Sequence, residues 1–188
     1  MTALPNAQLT HMGLYVTDDE LMVNFYTTMM GLIVVDQGTF QGRELAFLSR
    51  SADGHHQIVM VKGRTAGPEV KILGQISFRV DDLDSLRFFY NHAESLNVRA
   101  LEGRNHGNSW SIYFFDPEGN FVEMYVPTPW YVSQPWRVAL DMSLSNAEIE
   151  QITLDLLKDE PSWKPVSEWE TQMAAKLAAQ QAPPLSAS

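Results

Sequence analysis

"LTHMGLYVTDDELMVNFYTTMMGLIVV", residues 9 to 35, returns as "LGQISFRVDDLDSLRFFYNHAESLNVR", residues 73 to 99. At a constant offset of 64 and without a gap, Leu9 aligns with Leu73, Leu14 with Phe78, Val16 with Val80 and Asp18 with Asp82. The match runs on through Phe25 and Phe89, Tyr26 and Tyr90, Leu32 and Leu96, and Val34 and Val98. Such a repeat marks a duplicated structural unit. Each copy opens with an alternating strand, Met12/Leu14/Val16 or Ile76/Phe78/Val80, and an aspartate then caps a helix. Leu21, Phe25 and Met29 form the apolar stripe predicted for the first helix; Leu86, Phe89, Tyr90 and Ala93 form that of the second.

Three more strands follow in each half. They are predicted near residues 32–37, 43–49 and 56–61, and near 97–101, 110–115 and 121–125. Each half therefore reads β-α-β-β-β, and its single helix leaves one face of the sheet uncovered. Two copies side by side can share a concave surface. The fold class expected is α+β: tandem βαβββ modules, residues 8–63 and 73–126, forming a curved mixed sheet around a central cavity within a domain spanning 1–126. The last hairpin, "HGNSWSIYFFDPEGNFVEMYV" from His106, has its turn at Asp116-Pro117-Glu118-Gly119-Asn120. Residues 127–188 read as a Pro- and Trp-rich connector without period, then two amphipathic helices behind capping boxes at Ser145-Asn146-Ala147-Glu148 and Ser167-Glu168-Trp169-Glu170. Those helices pack on the domain or across a dimer interface, and the end, "QQAPPLSAS", is expected to fray.

The 13 Lys and Arg against 23 Asp and Glu leave a formal charge of -10, which disfavours nucleic acid and anionic lipid as partners. The absence of cysteine excludes disulfides, thiolate metal sites and cysteine nucleophiles. No apolar run is long enough to span a membrane, and the first residues lack the features of an export signal, so a cytoplasmic protein is expected.

On the face of each first strand turned away from the helix stand His11 and, at the repeat-equivalent position, Gln75. Equating the turns at Gly54 and Gly119 shifts the offset to 65 and pairs Ile58 with Glu123. His56 then shares a face with Ile58, and His55 points the other way. This places His11, His56, Gln75 and Glu123 on one surface. A mid-strand carboxylate such as Glu123 needs a cation or strong donors, and an ion pair with Arg79 or Arg99 would also satisfy it.

Together these residues resemble the vicinal oxygen chelate superfamily, which contains glyoxalase I, fosfomycin and bleomycin resistance proteins and type I extradiol dioxygenases, with the small extradiol enzymes nearest. The resemblance covers about residues 8 to 126. It implies metal ligands at His11 and Glu123, an acid/base residue at His56, a pocket histidine at His106, an asparagine at Asn108 and a substrate-orienting tyrosine at Tyr113, ten residues before the carboxylate. The remaining ligand of the pattern is a histidine, and here it is Gln75, a harder and weaker donor than imidazole.

The activity implied is metal-dependent ring cleavage of a catechol-like aromatic diol. Fe(II) is the metal expected first, and Mn(II), Ni(II), Zn(II) or Mg(II) are open to a site holding an amide. The alternatives are a non-oxidative metal-dependent lyase, isomerase or hydrolase, and a protein that sequesters a flat aromatic ligand. Tyr15, Phe121, Tyr125 and Trp130 are the expected aromatic walls, and the loops 39–42 and 66–71 are expected to select the substrate. The partners expected are a small aromatic substrate and a second copy of the chain, in a homodimer or higher homo-oligomer.

Overall fold

Each half of the chain forms one sheet backed by one helix, with identical connectivity. The computed structural model describes residues 7–67, 69–70 and 73–181; the expected fraying of the last residues concerns 182–188, outside that range. In the first module β1 (Met12–Val16) is followed by α1 (Asp19–Met30), β2 (Ile33–Phe40), β3 (Arg43–Ser49) and β4 (Ile58–Lys62). In the second, β5 (Ile76–Arg79) is followed by α2 (Leu83–Ser95), β6 (Arg99–Asn105), β7 (Ser109–Phe115) and β8 (Phe121–Pro127). The strand orders are β1-β4-β3-β2 and, after a short added edge strand, β6-β7-β8-β5. First and last strands pair in parallel in both modules, and the other ladders are antiparallel. The α+β class read from the repeat is the class observed.

Both helix starts follow the sequence reading. Asp18 Oδ1 accepts from the Leu21 N–H at 3.0 Å and Asp82 Oδ1 from the Ser85 N–H at 2.8 Å, satisfying donors that the first helical turn leaves unpaired. The buried face of α1 differs from the predicted stripe: Met22, Tyr26, Met29 and Met30 are buried, whereas Leu21 is exposed. Leu21-Met22 and Phe25-Tyr26 are adjacent apolar pairs, so periodicity alone does not separate the two neighbouring faces. These side chains pack with Leu14, Val16, Leu48, Ile58 and Met60, and Leu86 and Ala93 of α2 belong to the same core as Ile112, Phe114, Val122 and Met124.

The register corrects the alignment of the last strands. Met12 pairs with Ile58 and Gly13 with Val59, while Ile76 pairs with Val122 and Ser77 with Glu123. The first-module equivalent of Glu123 is therefore Val59, at the same offset of 64 as the rest of the repeat. Ile58, 2% exposed, lies in the core on the helix side. The cause is local: β4 begins at Ile58 rather than at His56, and residues preceding it are bends, to which strand alternation does not apply.

The modules are joined through the turn between β7 and β8. Gly119 adopts φ 82°, and its N–H bonds to the Asp116 carbonyl at 3.0 Å. From that turn Glu118 Oε1 accepts from the Thr17 and Asp18 N–H groups at 2.6 and 2.8 Å, at the start of α1 in the other module. Tyr26 donates its buried hydroxyl to Asp116 Oδ2 at 3.1 Å. Burial pushes both groups up in pKa, and for Tyr26 the neighbouring Asp116 adds to it.

The C-terminal extension contains short strands that periodicity does not reveal: β9 (Trp130–Tyr131) and β10 (Val138–Ala139) in the connector, and β11 (Lys164–Pro165) between the two helices. β10 extends the second sheet beside β6, and β9 pairs with β11. Gly103 permits the first approach, since a Cβ there would come within 2.3 Å of the Leu140 carbonyl oxygen. α3 (Asn146–Leu157) has the expected capping box at Ser145 and Glu148 and buries Ile149, Thr153 and Leu157. It packs on the second module, where Thr153 Oγ1 accepts from Trp110 Nε1 and Asn105 Nδ2, both at 2.8 Å. α4 (Val166–Gln181) begins before Ser167, which therefore lies inside the first turn instead of capping it. Trp169 of α4 stacks on Tyr131, while Met173 and Leu177 are exposed.

Candidate active site

Pairing across each sheet lines up one row of side chains on the face away from the helix. In the second module the row is Ser77, Glu123, Tyr113 and Glu102; in the first, the corresponding row is Gly13, Val59, Phe47 and Asp36. The second row carries a polar cluster centred on two buried side chains, Glu123 and Tyr113. Glu123, 7% exposed, accepts from the Tyr113 hydroxyl at 2.5 Å on one oxygen. Its other oxygen accepts from Ser77 Oγ at 2.5 Å and Gln75 Nε2 at 2.8 Å. Neutral donors satisfy the carboxylate, and the ion pair with Arg79 or Arg99 is not formed; Arg99 instead donates to the Asp116 carbonyl.

His106 completes the cluster. Its Nε2 is 3.0 Å from the Tyr113 oxygen and its Nδ1 3.3 Å from the Trp136 carbonyl. Tyr113 gives its single proton to the nearer acceptor, Glu123, and a neutral imidazole then donates either through Nε2 to the phenol oxygen or through Nδ1 to the Trp136 carbonyl, not through both. The three side chains form a contiguous chain, His106 to Tyr113 to Glu123. Burial lowers the His106 pKa, and burial followed by the Glu123 hydrogen bond raises that of Tyr113, so the phenol remains a protonated donor.

The first module contributes histidines. His11, exposed just ahead of β1, lies with its ring 4.4 Å from that of His56, and its Nδ1 is 3.1 Å from Thr10 Oγ1. Burial, then proximity to His11 and His55, lowers the His56 pKa. His55 does not point away from His56 as alternation predicts: its Nδ1 is 3.0 Å from His56 Nδ1. Contacts join His11 to His56 and His56 to His55, and join Gln75, Tyr113 and, through Tyr113, His106 to Glu123. Among the described residues no three His, Cys, Asp or Glu side chains are gathered as a metal-binding group. Asn108 is tied through its backbone carbonyl, which accepts from the Thr128 N–H at 3.0 Å.

Ser77 was not singled out by sequence. Its signal was available, because it alternates with Gln75 and falls opposite Glu123 once β5 and β8 are paired. A cavity of about 710 Å³ opens between the modules, lined by Tyr15 and Arg43 from the first and Phe115 and Phe121 from the second. Thr65, Ala66 and Val70 of the intermodule loop also reach it, whereas Lys71 lies outside the described residues. Phe121 stacks on Tyr113 at 4.9 Å and so joins the cavity wall to the polar cluster. Trp130 is no part of that wall; it packs edge-on against Trp110 under the C-terminal extension.

Residues 8–124 match the Glyoxalase/Bleomycin resistance protein/Dioxygenase superfamily. Among curated proteins, biphenyl-2,3-diol 1,2-dioxygenase 2 of Rhodococcus globerulus is 28% identical over 130 residues, 67% of this chain and 65% of that protein. The matched stretch therefore spans a little under two thirds of the relative's length. Among solved structures, a glyoxylase/bleomycin resistance protein/dioxygenase domain from Frankia sp. EAN1pec superposes with a TM-score of 0.58 at 18% identity, covering 66% of this chain and 94% of that one. The fosfomycin resistance protein FosX of Listeria monocytogenes, complexed with Mn(II) and 1S,2S-dihydroxypropylphosphonic acid, gives 0.54 at 16% identity, covering 66% and 95%. At these identities the two structures speak to the fold.

Proposed function

Because the chain belongs to the glyoxalase/bleomycin resistance protein/dioxygenase superfamily, we propose that it is a metal-dependent, extradiol-type dioxygenase that opens the ring of a catechol-like diol. The observation carrying this reading is the Glu123–Tyr113–His106 chain, buried at its first two members, beside an aromatic-walled cavity. The similarity to a biphenyl-diol dioxygenase supports it.

Two of the candidate donors stand at a spacing that suits a divalent ion. Gln75 Nε2 and Glu123 Oε2 stand 2.8 Å apart, close to the roughly 3 Å between adjacent ligands of an octahedral ion with bonds of about 2.1 Å. A half-turn of the amide exchanges nitrogen for oxygen at that point. His11, Gln75 and Glu123 would hold the metal, Fe(II) in this reading, which when bound supplies open positions for the diol and oxygen and lowers the diol's pKa. Ser77 and Tyr113 would orient the carboxylate. His56, kept neutral by its lowered pKa, would take a proton from the diol and return it to the product. Tyr15, Phe115 and Phe121 would hold the flat ring and exclude water.

The test is aerobic turnover of a catechol panel by protein loaded with Fe(II), following oxygen uptake and the yellow ring-opened product. Iron binding without product from any diol overturns the oxidative reading. Turnover of a chelating substrate with another ion and no oxygen uptake would favour the non-oxidative reading, which the amide at Gln75 recommends.

A further inference from the structure

The first module's row carries a second polar chain that the reaction described above does not use. β2 holds one extra residue against β3: Val34 pairs with Leu48, but the next pair is Asp36 with Phe47. An unbroken ladder would have put Val35 opposite Phe47. The bulge instead turns Asp36 onto the open face, as such insertions re-aim side chains. There Asp36 Oδ2 is 2.6 Å from His55 Nε2, and His55 Nδ1 is 3.0 Å from His56 Nδ1. Phe47 lies edge-on to both rings, at 5.5 Å and 5.1 Å between centroids.

We propose that Asp36 and His55 are positioning residues that fix the tautomer of His56, with its proton on Nδ1 and its lone pair on Nε2. This rests on the reading of His56 as the acid/base residue. Ionised Asp36 only accepts, so His55 Nε2 carries the proton of that bond. With His55 as a neutral ring, its Nδ1 has only a lone pair, and the short contact to His56 then requires the proton on His56 Nδ1. His56 Nε2 is left as the unprotonated nitrogen. A carboxylate on β2 thereby selects, through two rings, which nitrogen of His56 is the base. Asp36 and His55 are largely exposed, with side chains 66% and 53% accessible, so the pair acts on proton placement and contributes little to stability.

The test is nitrogen NMR of the full chain carrying ¹⁵N-labelled histidine, at a pH where the rings are neutral, with the signals assigned among the five histidines by single substitution. The expected result is Nδ1–H for His56 and Nε2–H for His55. His55→Leu should move the His56 proton to Nε2 or average it between the nitrogens, His55→Gln should restore Nδ1–H through its amide oxygen, and Asp36→Ala should produce averaging at both rings. In turnover, His55→Leu should lower kcat about tenfold at unchanged KM, a fraction of what a general base contributes, with recovery in His55→Gln. Nε2–H at His56 in the native chain, or a pattern unmoved by His55→Leu and Asp36→Ala, overturns the proposal. Absence of ring cleavage defeats the oxidative reading instead and leaves the nitrogen pattern to be judged on its own.

Discussion

Glu123 shows how a carboxylate can be buried without a cationic partner. Tyr113, Ser77 and Gln75 each direct a neutral hydrogen-bond donor at it. Such donors hold the two oxygens in fixed directions, which is what a ligand needs from its surroundings. Glu123→Ala should abolish calorimetric binding of Fe(II) or Mn(II). Tyr113→Phe should leave the site intact and weaken binding about 10–100-fold, the usual effect of removing a partner behind a ligand. Equal binding by native protein and Tyr113→Phe would show that the phenol does not orient the carboxylate. The side of the sheet on which Glu123 and Tyr113 lie could be read from alternation, because both sit inside regular strands. His55 could not be read in this way, since the bends before β4 break the two-residue period.

At the scale of elements, the helix caps and first strands were legible because each rests on a short local signal that occurs twice. The buried face of α1 was not, since its apolar residues occupy two adjoining faces and only packing against Leu48 and Met60 chooses between them. The short strands of the connector are likewise set by distant partners. α3 illustrates the energetics of such docking. Its Thr153 hydroxyl accepts from two buried donors, Trp110 Nε1 and Asn105 Nδ2, and donates to the Ile149 carbonyl at 2.7 Å. Thr153→Val keeps the shape and strands both donors. It should cost about 2–6 kcal/mol in urea unfolding, from two unsatisfied buried groups at about 1–3 kcal/mol each. Thr153→Ser, which retains the hydroxyl, should lose less.

Across the whole molecule, the duplicated halves are fastened by contacts that the duplication does not itself repeat. Tyr26 and Asp116 meet in the buried seam between modules, and burial raises the pKa of Asp116. A carboxyl with a raised folded-state pKa stabilises the fold below its unfolded value near 3.8, and that contribution is lost as pH rises through the folded value. Asp19, with a lowered pKa, acts in the opposite sense and is common to native and variant chains. Relative to native protein, Asp116→Asn should therefore become progressively more favourable in unfolding free energy as pH rises from 4 toward neutrality. A constant difference would show that Asp116 titrates as it does in the unfolded chain. The seam was invisible to the repeat, because Asp116 and Glu118 belong to a turn whose counterpart in the first half has a different sequence.

The bulge in β2 has one more consequence, for how copies of this chain behave when crowded. β2 is the outermost strand of its sheet and is exposed along its whole length, with Ile33, Val34 and Val35 uncovered. Such an edge invites a stranger's backbone to continue the ladder, and an interruption plus a charged side chain is a common defence. Deleting Val35 would mend the interruption while leaving Asp36 opposite Phe47, so the irregularity alone is removed and the charge is kept. Faster growth of thioflavin-positive fibrils in the deletion variant, tracked by light scattering beside the native chain, would show that one surplus residue guards against polymerisation.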